Sequence, residues 1–425
     1  MAVDTVKLRS PEIDEGTAAF LERQCILKQG VELATGEVLY EITTGSLDGS
    51  YDSRIMFKVC REDWITLGGK LQQVPCSPFV IVECSWHKFF HGQNVYGNPT
   101  DFQNLARTFV NLLGEIFLDG SDFPDRSRFH ELFQAADKWQ VRRVDWAEVF
   151  HLSPAAQREF FRSFRDVHFP RRAKKEAKYD SALHYPGTFT TFRVYSKGPE
   201  FKLHGAAQLR KALVRRQQIQ DGQTPGNNEG EISKKVVAGL NRYKYINRKI
   251  DALQRLANWR LRFEVQVNAD KLHYDFKGRY PLVSEINDEY LIGIYKEQIF
   301  KLFKEGKSEM ETVRTYDQVK ARLNNVHGKR SANNLLSFWI QLSNRGEEAV
   351  REEYSRSQFY DNRKKLVDAG ISWHSTDVFI IPQDTALPRD FFPIQADPRR
   401  CIAKVSANSI FNFCPVEQHQ LLKAA

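Results

Sequence analysis

Alternating hydrophobic and polar positions mark the first hundred residues of the chain. The alternation runs through four short segments separated by Gly, Asp or Pro, namely VDTVKLR, GEVLYEITTGSL, SRIMFKV and FVIVECSW. Successive side chains of a strand point to opposite faces, so this pattern is typical of strands with one buried face. We therefore predict a sheet that is built from these segments.

Helical spacing replaces the alternation further along the chain. In TDFQNLARTFVNLLGEIF the apolar residues fall on one face, with Thr100 as the predicted N-cap. In SPAAQREFFRSF, Ser153 and Pro154 suit the start of a helix. The segment ALHYPGTFTTFRVYSKGPEFKL predicts a strand pair. We then expect a flexible loop at Asp221–Gly230, a long basic helix over Leu240–Arg262 and a strand in LRFEVQV.

The order of these elements predicts an α+β fold. From about Tyr290 onward the pattern is mainly helical, with a predicted break at Gly346, an N-cap at Ser357 and a stop at Gly370. We predict an antiparallel sheet with flanking helices over residues 1–280. Residues 281–425 are predicted to form a mainly helical domain that resembles a winged-helix or helix-turn-helix module.

The composition narrows the classes of partner. The chain has 425 residues, with 62 Lys and Arg against 53 Asp and Glu, and a net charge of +9. This excess favours a polyanion, with nucleic acid ahead of an anionic membrane surface. No run approaches the roughly 18 apolar residues of a spanning helix, so we expect a soluble, cytoplasmic protein. The 6 cysteines lack CxxC and zinc spacings, so we expect reduced thiols and no zinc.

Three strand segments place polar side chains at every second residue. Such residues share one face of a strand, so Arg143 and Asp145 face one way and Val144 the other. The other two sets are Arg193, Tyr195 and Lys197, and Arg262, Glu264 and Gln266. If the strands are neighbours in one antiparallel sheet, two carboxylates, a tyrosine, a lysine and several arginines share a surface.

This set of side chains suits cleavage of a phosphodiester by a protein nucleophile. The carboxylates of Asp145 and Glu264 can hold a hard divalent ion, and oxygen ligands favour Mg²⁺ or Mn²⁺. The Tyr195 phenol is a weak nucleophile at neutral pH, and the flanking Lys197 and Arg193 favour its ionised form. The alternative is a solvated sheet face whose charges form ordinary cross-strand ion pairs.

The same segments carry a resemblance to a known family. Seven blocks occur in order along the chain: VDTVKLRSPEID, SRIMFKV, KFFHGQNVYG, RVD, FRVYSKGPEF, LRFEVQV and SRSQFYDNRKKLVDAGI. Together they resemble the gene II replication initiators of filamentous phages, relatives of rolling-circle plasmid initiators in the endonuclease superfamily named for a His-hydrophobic-His motif. The resemblance implies a nuclease domain in which Tyr195 is the nucleophile and Asp145 and Glu264 bind the metal.

The resemblance also implies an activity and its partners. Members of the family cut the plus strand of a double-stranded replicative form at the origin, stay attached to the 5′ phosphate, and later cut and close the displaced circle. We therefore expect a metal-dependent endonuclease and strand transferase that acts on phage origin DNA, with host helicase and polymerase as partners. The alternatives are a non-enzymatic origin-binding or regulatory protein, and a plasmid-mobilising relaxase or a transposase with the same chemistry.

The motif that names the superfamily is missing from this chain. No two histidines are separated by one hydrophobic residue, and the nearest candidates for a third ligand are His91 and Gln93 in SWHKFFHGQNVYG. The alternative for these two is a loop organised around Gly92. Glu200 is a further candidate acid or ligand, and its alternative is an ion pair with a lysine such as Lys197.

Basic residues predict where DNA would lie. The candidate contacts are Arg143, Arg242, Lys244, Arg248, Lys249 and Arg262 before residue 280, and Arg356, Arg363 and Lys364 after it. The alternatives are a solvated helix face for the first set, and for the second a helical bundle that does not touch DNA.

Overall fold

A computed structural model provides the structure of the chain. It describes residues 2–32, 34–47, 55–67, 70–96, 101–118, 123, 125–164, 181–221, 241–310, 315–373, 376, 387–388, 390–402, 405–406 and 408–413. No helix in these ranges is both long and apolar enough to cross a membrane. Thr100 and most of the predicted loop at Asp221–Gly230 lie outside the described residues.

The described residues form an α+β structure, as the sequence predicts. Its strands are β1 Ala2–Arg9, β2 Ile26–Val31, β3 Val38–Leu47, β4 Ile55–Leu67, β5 Lys70–Ser85, β6 Gln140–His151, β7 Ala182–Tyr185, β8 Thr190–Ser196 and β9 Arg260–Val267.

The first eight helices accompany these strands. They are α1 Glu15–Glu22, α2 Trp86–His91, α3 Phe102–Leu118, α4 Arg126–Gln134, α5 Pro154–Phe164, α6 Lys197–Glu200, α7 Ala206–Gln220 and α8 Asn241–Asn258. The other five are α9 Ala269–Asp275, α10 Asp288–Met310, α11 Tyr316–Val326, α12 Lys329–Arg351 and α13 Arg356–Asp368. As predicted, α5 begins at Pro154, and the Ser153 hydroxyl accepts a hydrogen bond from the Ala156 amide at 3.1 Å.

The chain divides into two compact units, and both are discontinuous in sequence. The first comprises Met1–His151, Pro186–Tyr295 and Pro398–Ala425, and the second comprises Leu152–Tyr185 and Lys296–Asp397. The predicted domains, residues 1–280 and 281–425, are continuous ranges. Their existence as two separate domains stays a prediction.

The sheet of the first unit positions the polar strand segments. Its strands lie in the order β2–β3–β4–β5–β1–β6–β9–β8, so the three strands with alternating polar residues are adjacent. Antiparallel pairing sets Arg193 directly opposite Glu264 and Tyr195 directly opposite Arg262. The prediction that these residues share one surface is therefore confirmed for the residues that lie in the strands, whereas Lys197 lies in helix α6.

The apolar residues between them form the core. On β6, β9 and β8 the fully buried apolar residues include Val144, Trp146, Phe263, Val265, Phe192 and Val194. Helix α3 packs on the sheet through Phe117, whose ring centre lies 4.9 Å from that of Phe57 on β4. Burying one such side chain contributes about 1.5–3 kcal/mol, so this alternation fixes which face of each strand is polar.

Two predicted boundaries near the polar surface are wrong. The strand that carries Tyr195 ends at Ser196, and KGPEFKL forms helix α6 and a π-helical turn at Phe201–Gly205 instead of more strand. Pro199 cannot donate a ladder hydrogen bond but fits the first turn of a helix. The predicted basic helix over Leu240–Arg262 is seen as α8, which ends at Asn258 before β9 begins.

The second unit contains helices α11 to α13. Gly346 adopts φ 79° and ψ 165° inside α12 and breaks it where predicted, because this conformation suits only glycine. The N-cap of α13 is Ser355 and not the predicted Ser357, which lies within the first helical turn. Gly370 ends α13 as predicted, with φ 66°.

The C-terminal segment returns to the first unit, which no sequence pattern indicated. The Cys401 amide donates to the Val149 carbonyl at 2.7 Å, and the His151 amide donates to the Arg399 carbonyl at 2.8 Å. The Arg400 guanidinium also bonds the buried Glu148 carboxylate at 2.8 Å. This segment therefore extends the hydrogen bonding of β6 beyond its two neighbouring strands.

Candidate active site

Tyr195 and Glu264 form the centre of the polar surface. The Tyr195 hydroxyl donates a hydrogen bond of 3.0 Å to Glu264 Oε2. Arg193 donates from Nη1 to Glu264 Oε1 at 2.8 Å and from Nη2 to Gln266 Oε1 at 2.9 Å. The tyrosine and both oxygens of this carboxylate are therefore held by side chains from two neighbouring strands.

Asp145 lies on the adjacent strand β6 and is 1% exposed. Arg143 binds it as a fork, with 2.7 Å from Nε to Oδ1 and 2.5 Å from Nη2 to Oδ2, and also bonds Glu83 at 3.0 Å. Burial raises the pKa of the Asp145 carboxyl to about 7, and repulsion from Glu264 adds to this although Arg143 opposes it. A cation close to both carboxylates would relieve that repulsion.

Arg262 does not lie on a DNA-facing surface, in contrast to the prediction. Its side chain is fully buried and forms a 2.9 Å ion pair from Nη2 to Asp4 Oδ1. Its Nη1 donates to the Asn94 carbonyl at 3.2 Å, and its Nε lies 3.4 Å from Glu264 Oε2. Arg262 thus shares one carboxylate oxygen with the Tyr195 hydroxyl and belongs to the site itself.

Asp4 is a site residue that the sequence reasoning missed. Val3 lies opposite Trp146 and Thr5 lies opposite Asp145, so Asp4 is an extra residue in β1, as in a β-bulge. Burial disfavours its carboxylate, but Arg262 and the Asn94 side chain hold its pKa well below the usual range. An acidic residue in the predicted strand VDTVKLR was the signal in the sequence, but the partners of Asp4 are far away along the chain.

Burial is the main reason that the Tyr195 phenol is protonated in this structure. Loss of hydration raises the pKa of Tyr195 well above its usual range, Arg262 opposes the rise, and Glu264 and Glu200 reinforce it. Arg262 is therefore the first cation that favours ionisation of this phenol. The prediction gave that role to Lys197 and Arg193.

Lys197 is buried beside the nucleophile strand and forms an ion pair with Glu200. Its ammonium nitrogen lies 5.8 Å from the centre of the Tyr195 ring. Burial lowers the pKa of Lys197 to about 8, and Glu200 opposes the change. Glu200 therefore has the lysine partner that the sequence offered as the alternative to a ligand role.

The candidate third ligands lie around helix α2. Gln93 Oε1 accepts a hydrogen bond from the Val95 amide at 2.7 Å, which organises the loop after α2. Burial lowers the pKa of His91, and it lowers that of the nearby His87 to about 3, so both rings are neutral. Neither ring nitrogen of His87 has a hydrogen-bond partner in the described part of the chain.

Asp145 and Glu264 are the acidic residues of the site that could bind a metal ion. Among the described residues, no group of three or more His, Cys, Asp or Glu side chains is arranged to hold a metal ion. Asp145 and Glu264 still supply two oxygen donors, and their repulsion favours a cation. Mg²⁺ is commonly bound by one or two carboxylates plus water and substrate phosphate, so these donors fit such an ion.

The predicted DNA contacts fall into two groups. Lys244, Arg248 and Lys249 on α8 and Arg356 and Lys364 on α13 are exposed. Arg143 and Arg363 are instead half-buried, and Arg363 bonds Glu347 at 3.1 Å. The side chain of Arg242 lies outside the described residues.

Comparison with known protein families finds one match for the chain. Residues 19–281 match the family described as the N-terminal part of the phage replication-associated protein of the gene II type. Among curated proteins, none matches the chain. The matched range contains Asp145, Tyr195 and Glu264, whereas Asp4 precedes it.

Proposed function

The chain belongs to the gene II-type family of phage replication-associated proteins, and this membership supports a role as a rolling-circle replication initiator. We propose that it nicks origin DNA by forming a covalent bond between Tyr195 and the DNA. The observation that supports this most directly is the 3.0 Å hydrogen bond from the Tyr195 hydroxyl to Glu264. A nucleophile that is hydrogen-bonded to a carboxylate can be activated by it as a general base, which is one of the arrangements used in covalent catalysis.

The residues suggest how strand transfer would proceed. The Tyr195 oxygen attacks the scissile phosphorus, its proton passes to Glu264 Oε2, and the bond from phosphorus to the 3′ oxygen breaks. The 3′ oxygen takes a proton from water, the proton on Glu264 passes to the hydroxide that this leaves, and the 5′ phosphate stays on Tyr195. The phosphotyrosyl bond keeps the energy of the phosphodiester, so a 3′ hydroxyl can later reverse the step and close a circle.

Asp145 and Glu264 would hold Mg²⁺ or Mn²⁺. Such an ion withdraws charge from the scissile phosphate when it is bound. Arg193 and Arg143 already contact these carboxylates, and their half-buried side chains can turn toward a phosphate. The proposed substrates are the double-stranded replicative form and its displaced single strand, with host helicase and polymerase extending the nick.

The test is transfer of labelled DNA to the protein. The full chain is incubated with Mg²⁺ or Mn²⁺ and end-labelled single-stranded DNA from its own replicon. The products are separated on a denaturing gel, and peptide mapping identifies the labelled peptide. We expect an adduct on the peptide that contains Tyr195. Tyr195→Phe should bind the same DNA without an adduct, and Tyr274→Phe, an exposed tyrosine outside the site, should behave as wild type. A normal adduct in Tyr195→Phe would refute the proposal.

One observation favours a second function. The carboxylates of Asp145 and Glu264 are already paired with arginines, as expected for a sheet whose ion pairs only stabilise an origin-binding or regulatory protein. The same assay separates the two functions. Origin binding without any nick or adduct, including on supercoiled DNA, would support the non-enzymatic protein.

The helices α12 and α13 are proposed to contact duplex DNA. They provide two helices and a turn, with Arg356 and Lys364 exposed on the second. Arg363 is excluded from this role because it bonds Glu347 and lies over the Trp373 ring, 5.5 Å from its centre.

A further inference from the structure

Trp259 and His151 form a stacked aromatic pair on the surface of the first unit. We propose that this pair stacks on an unpaired base of single-stranded DNA whose backbone lies along helix α8. The inference rests on the proposed function, since it says how the strand approaches Tyr195. It is an addition to that function, because neither residue belongs to the site around Glu264.

The geometry of the pair suits a nucleobase. The two rings are nearly parallel, 5.2 Å apart between centres and inclined by 14°. Trp259 is 43% exposed and His151 is also exposed, so the pair is open to solvent. Partial burial and the Arg260 charge lower the pKa of His151, which favours the neutral imidazole. Bases of every type have an aromatic face, so such a pair can hold one without reading its sequence.

The pair lies at the same end of the sheet as the nucleophile. His151 is the last residue of β6, and it lies opposite Arg260, which follows Trp259. Arg262, two residues further along β9, lies opposite Tyr195. At about 3.3 Å per residue, Trp259 precedes the Tyr195 position by roughly 10 Å along the strand.

Close packing joins α8 to the turn that follows Tyr195. A Cβ atom on Gly198 would lie 2.3 Å from Asn258 Oδ1 and 2.9 Å from Asn258 Cα, so only glycine permits this approach. Gln254 also donates to the Gly198 carbonyl at 3.0 Å. The last turn of α8, and Trp259 after it, therefore hold a defined position relative to the nucleophile.

The exposed face of α8 carries the charge that a DNA backbone requires. Lys244, Arg248 and Arg255 share this face at helical spacing, and all three are exposed. The exposed Asp251 lies on the same face, between Arg248 and Arg255, so the net charge of the four residues is +2. None of the three cations has an ion-pair partner within 4 Å in the described part of the chain. At 1.5 Å per residue the three cations span about 16 Å. We call these cations the α8 stripe.

The α8 stripe is not needed for packing. The opposite face of the helix is buried through Ile246, Ile250, Leu253 and Ala257. A cationic track with an exposed aromatic at its end is the combination by which proteins bind single strands. A duplex, whose bases are already stacked, would use the cations but not the ring pair.

The test measures binding without chemistry. Full-length protein with Tyr195→Phe is titrated into a fluorescent single strand from the replicon, and anisotropy gives the dissociation constant. Adding Trp259→Ala should weaken binding about tenfold, and adding Trp259→Phe should change it less than threefold, because base stacking on an aromatic survives in phenylalanine. Binding to a duplex of the same sequence should stay within twofold.

A matched control lies at the other end of the same strands. Phe189 and Tyr274 form a second exposed ring pair, 5.4 Å apart, beside the start of β8 and the end of β9. Tyr274→Ala should leave single-strand binding unchanged. An equal loss in Trp259→Ala and Tyr274→Ala, or an equal loss for the duplex, would overturn the proposal.

Abasic sites give a second measurement that does not depend on the variant alone. Single strands are prepared with one abasic site at successive positions. With intact Trp259, the abasic site at one position should weaken binding about tenfold. With Trp259→Ala the same abasic site should weaken binding little, since both changes remove the same contact. No position with this coupling would overturn the proposal. Adduct formation by protein with Tyr195 intact is scored separately, so a failure of the nicking function is distinguished from a failure of the ring pair.

Discussion

Two regions of the first unit use the same residue types in opposite ways. Around Tyr195, Arg262 is fully buried and its guanidinium contacts the carboxylates of Asp4 and Glu264. On the α8 stripe, Arg248 and its neighbours are exposed, with no ion-pair partner in the described residues. The sequence places these arginines only 14 residues apart, in runs that look equally basic.

The difference shows what each region can do. A buried charge must be paired, because removing its partner leaves an uncompensated ion in a medium of low dielectric constant. Exposed cations cost little and interact with a polyanion at a strength set by salt. The first region is therefore suited to holding reacting groups, and the second to attracting a substrate.

Removal of divalent ions should separate the regions most clearly. With EDTA we expect adduct formation at Tyr195 to fall about a thousandfold, since metal stabilisation of a phosphoryl transition state is worth several kcal/mol. Single-strand binding by the α8 stripe should change less than twofold. The measurements are adduct yield against time and anisotropy in the same buffer. Full cleavage in EDTA would remove the assignment of Asp145 and Glu264 as ligands.

Arg262→Ala should have the next largest effect, on stability. Losing this buried partner of Asp4 is expected to lower the free energy of unfolding by about 3–5 kcal/mol. Urea titration monitored by fluorescence measures it. Arg248→Ala is the matched control and should stay within about 0.5 kcal/mol. Equal effects in the two variants would contradict the contrast between the regions.

His87 should make the site region sensitive to acid. Its pKa is lowered from 6.5 to about 3 by burial, so the folded state binds its proton less readily than the unfolded state. The stability that this provides is present above pH 6.5 and is lost as the pH falls toward 3. Between pH 6.5 and 4 we expect the loss to be about 3 kcal/mol.

Urea titrations across that pH range test the role of His87. His87→Phe removes the titrating group and should flatten the pH dependence, whereas His204→Phe, at an exposed position, should not. An unchanged pH dependence in His87→Phe would show that other groups account for the acid sensitivity.

The smallest expected effect is that of a single cation in the α8 stripe. Arg248→Ala should weaken single-strand binding only a few-fold at moderate salt. The slope of log affinity against log salt should become shallower by about 0.7, the value for one phosphate contact on a single strand. Anisotropy at four salt concentrations measures it, with Arg356→Ala as the comparison from the second unit. An unchanged slope would remove Arg248 from the DNA contacts.

Much of the site could be predicted because its residues follow a local rule. Arg193 with Tyr195, and Arg262 with Glu264, are spaced by two residues in strands, and the pleat alone puts each pair on one face. The same rule failed at Lys197, since the strand ends at Ser196 and Lys197 begins a helix that has Pro199 in its first turn, a change that periodicity does not predict. Asp4 was missed because an extra residue in β1, and not alternation, places it in the site.

By itself, the sequence determined the α+β class, the polar strand faces and the break at Gly346, because these depend on neighbours a few residues away. Only the tertiary structure decided which charges are buried. Asp4 meets Arg262 across 258 positions of sequence at 2.9 Å, and His151 meets Trp259 across 108 at a ring spacing of 5.2 Å. Burial and pairing are set by which strands lie side by side, and strand order is a property of the whole fold and not of any local pattern.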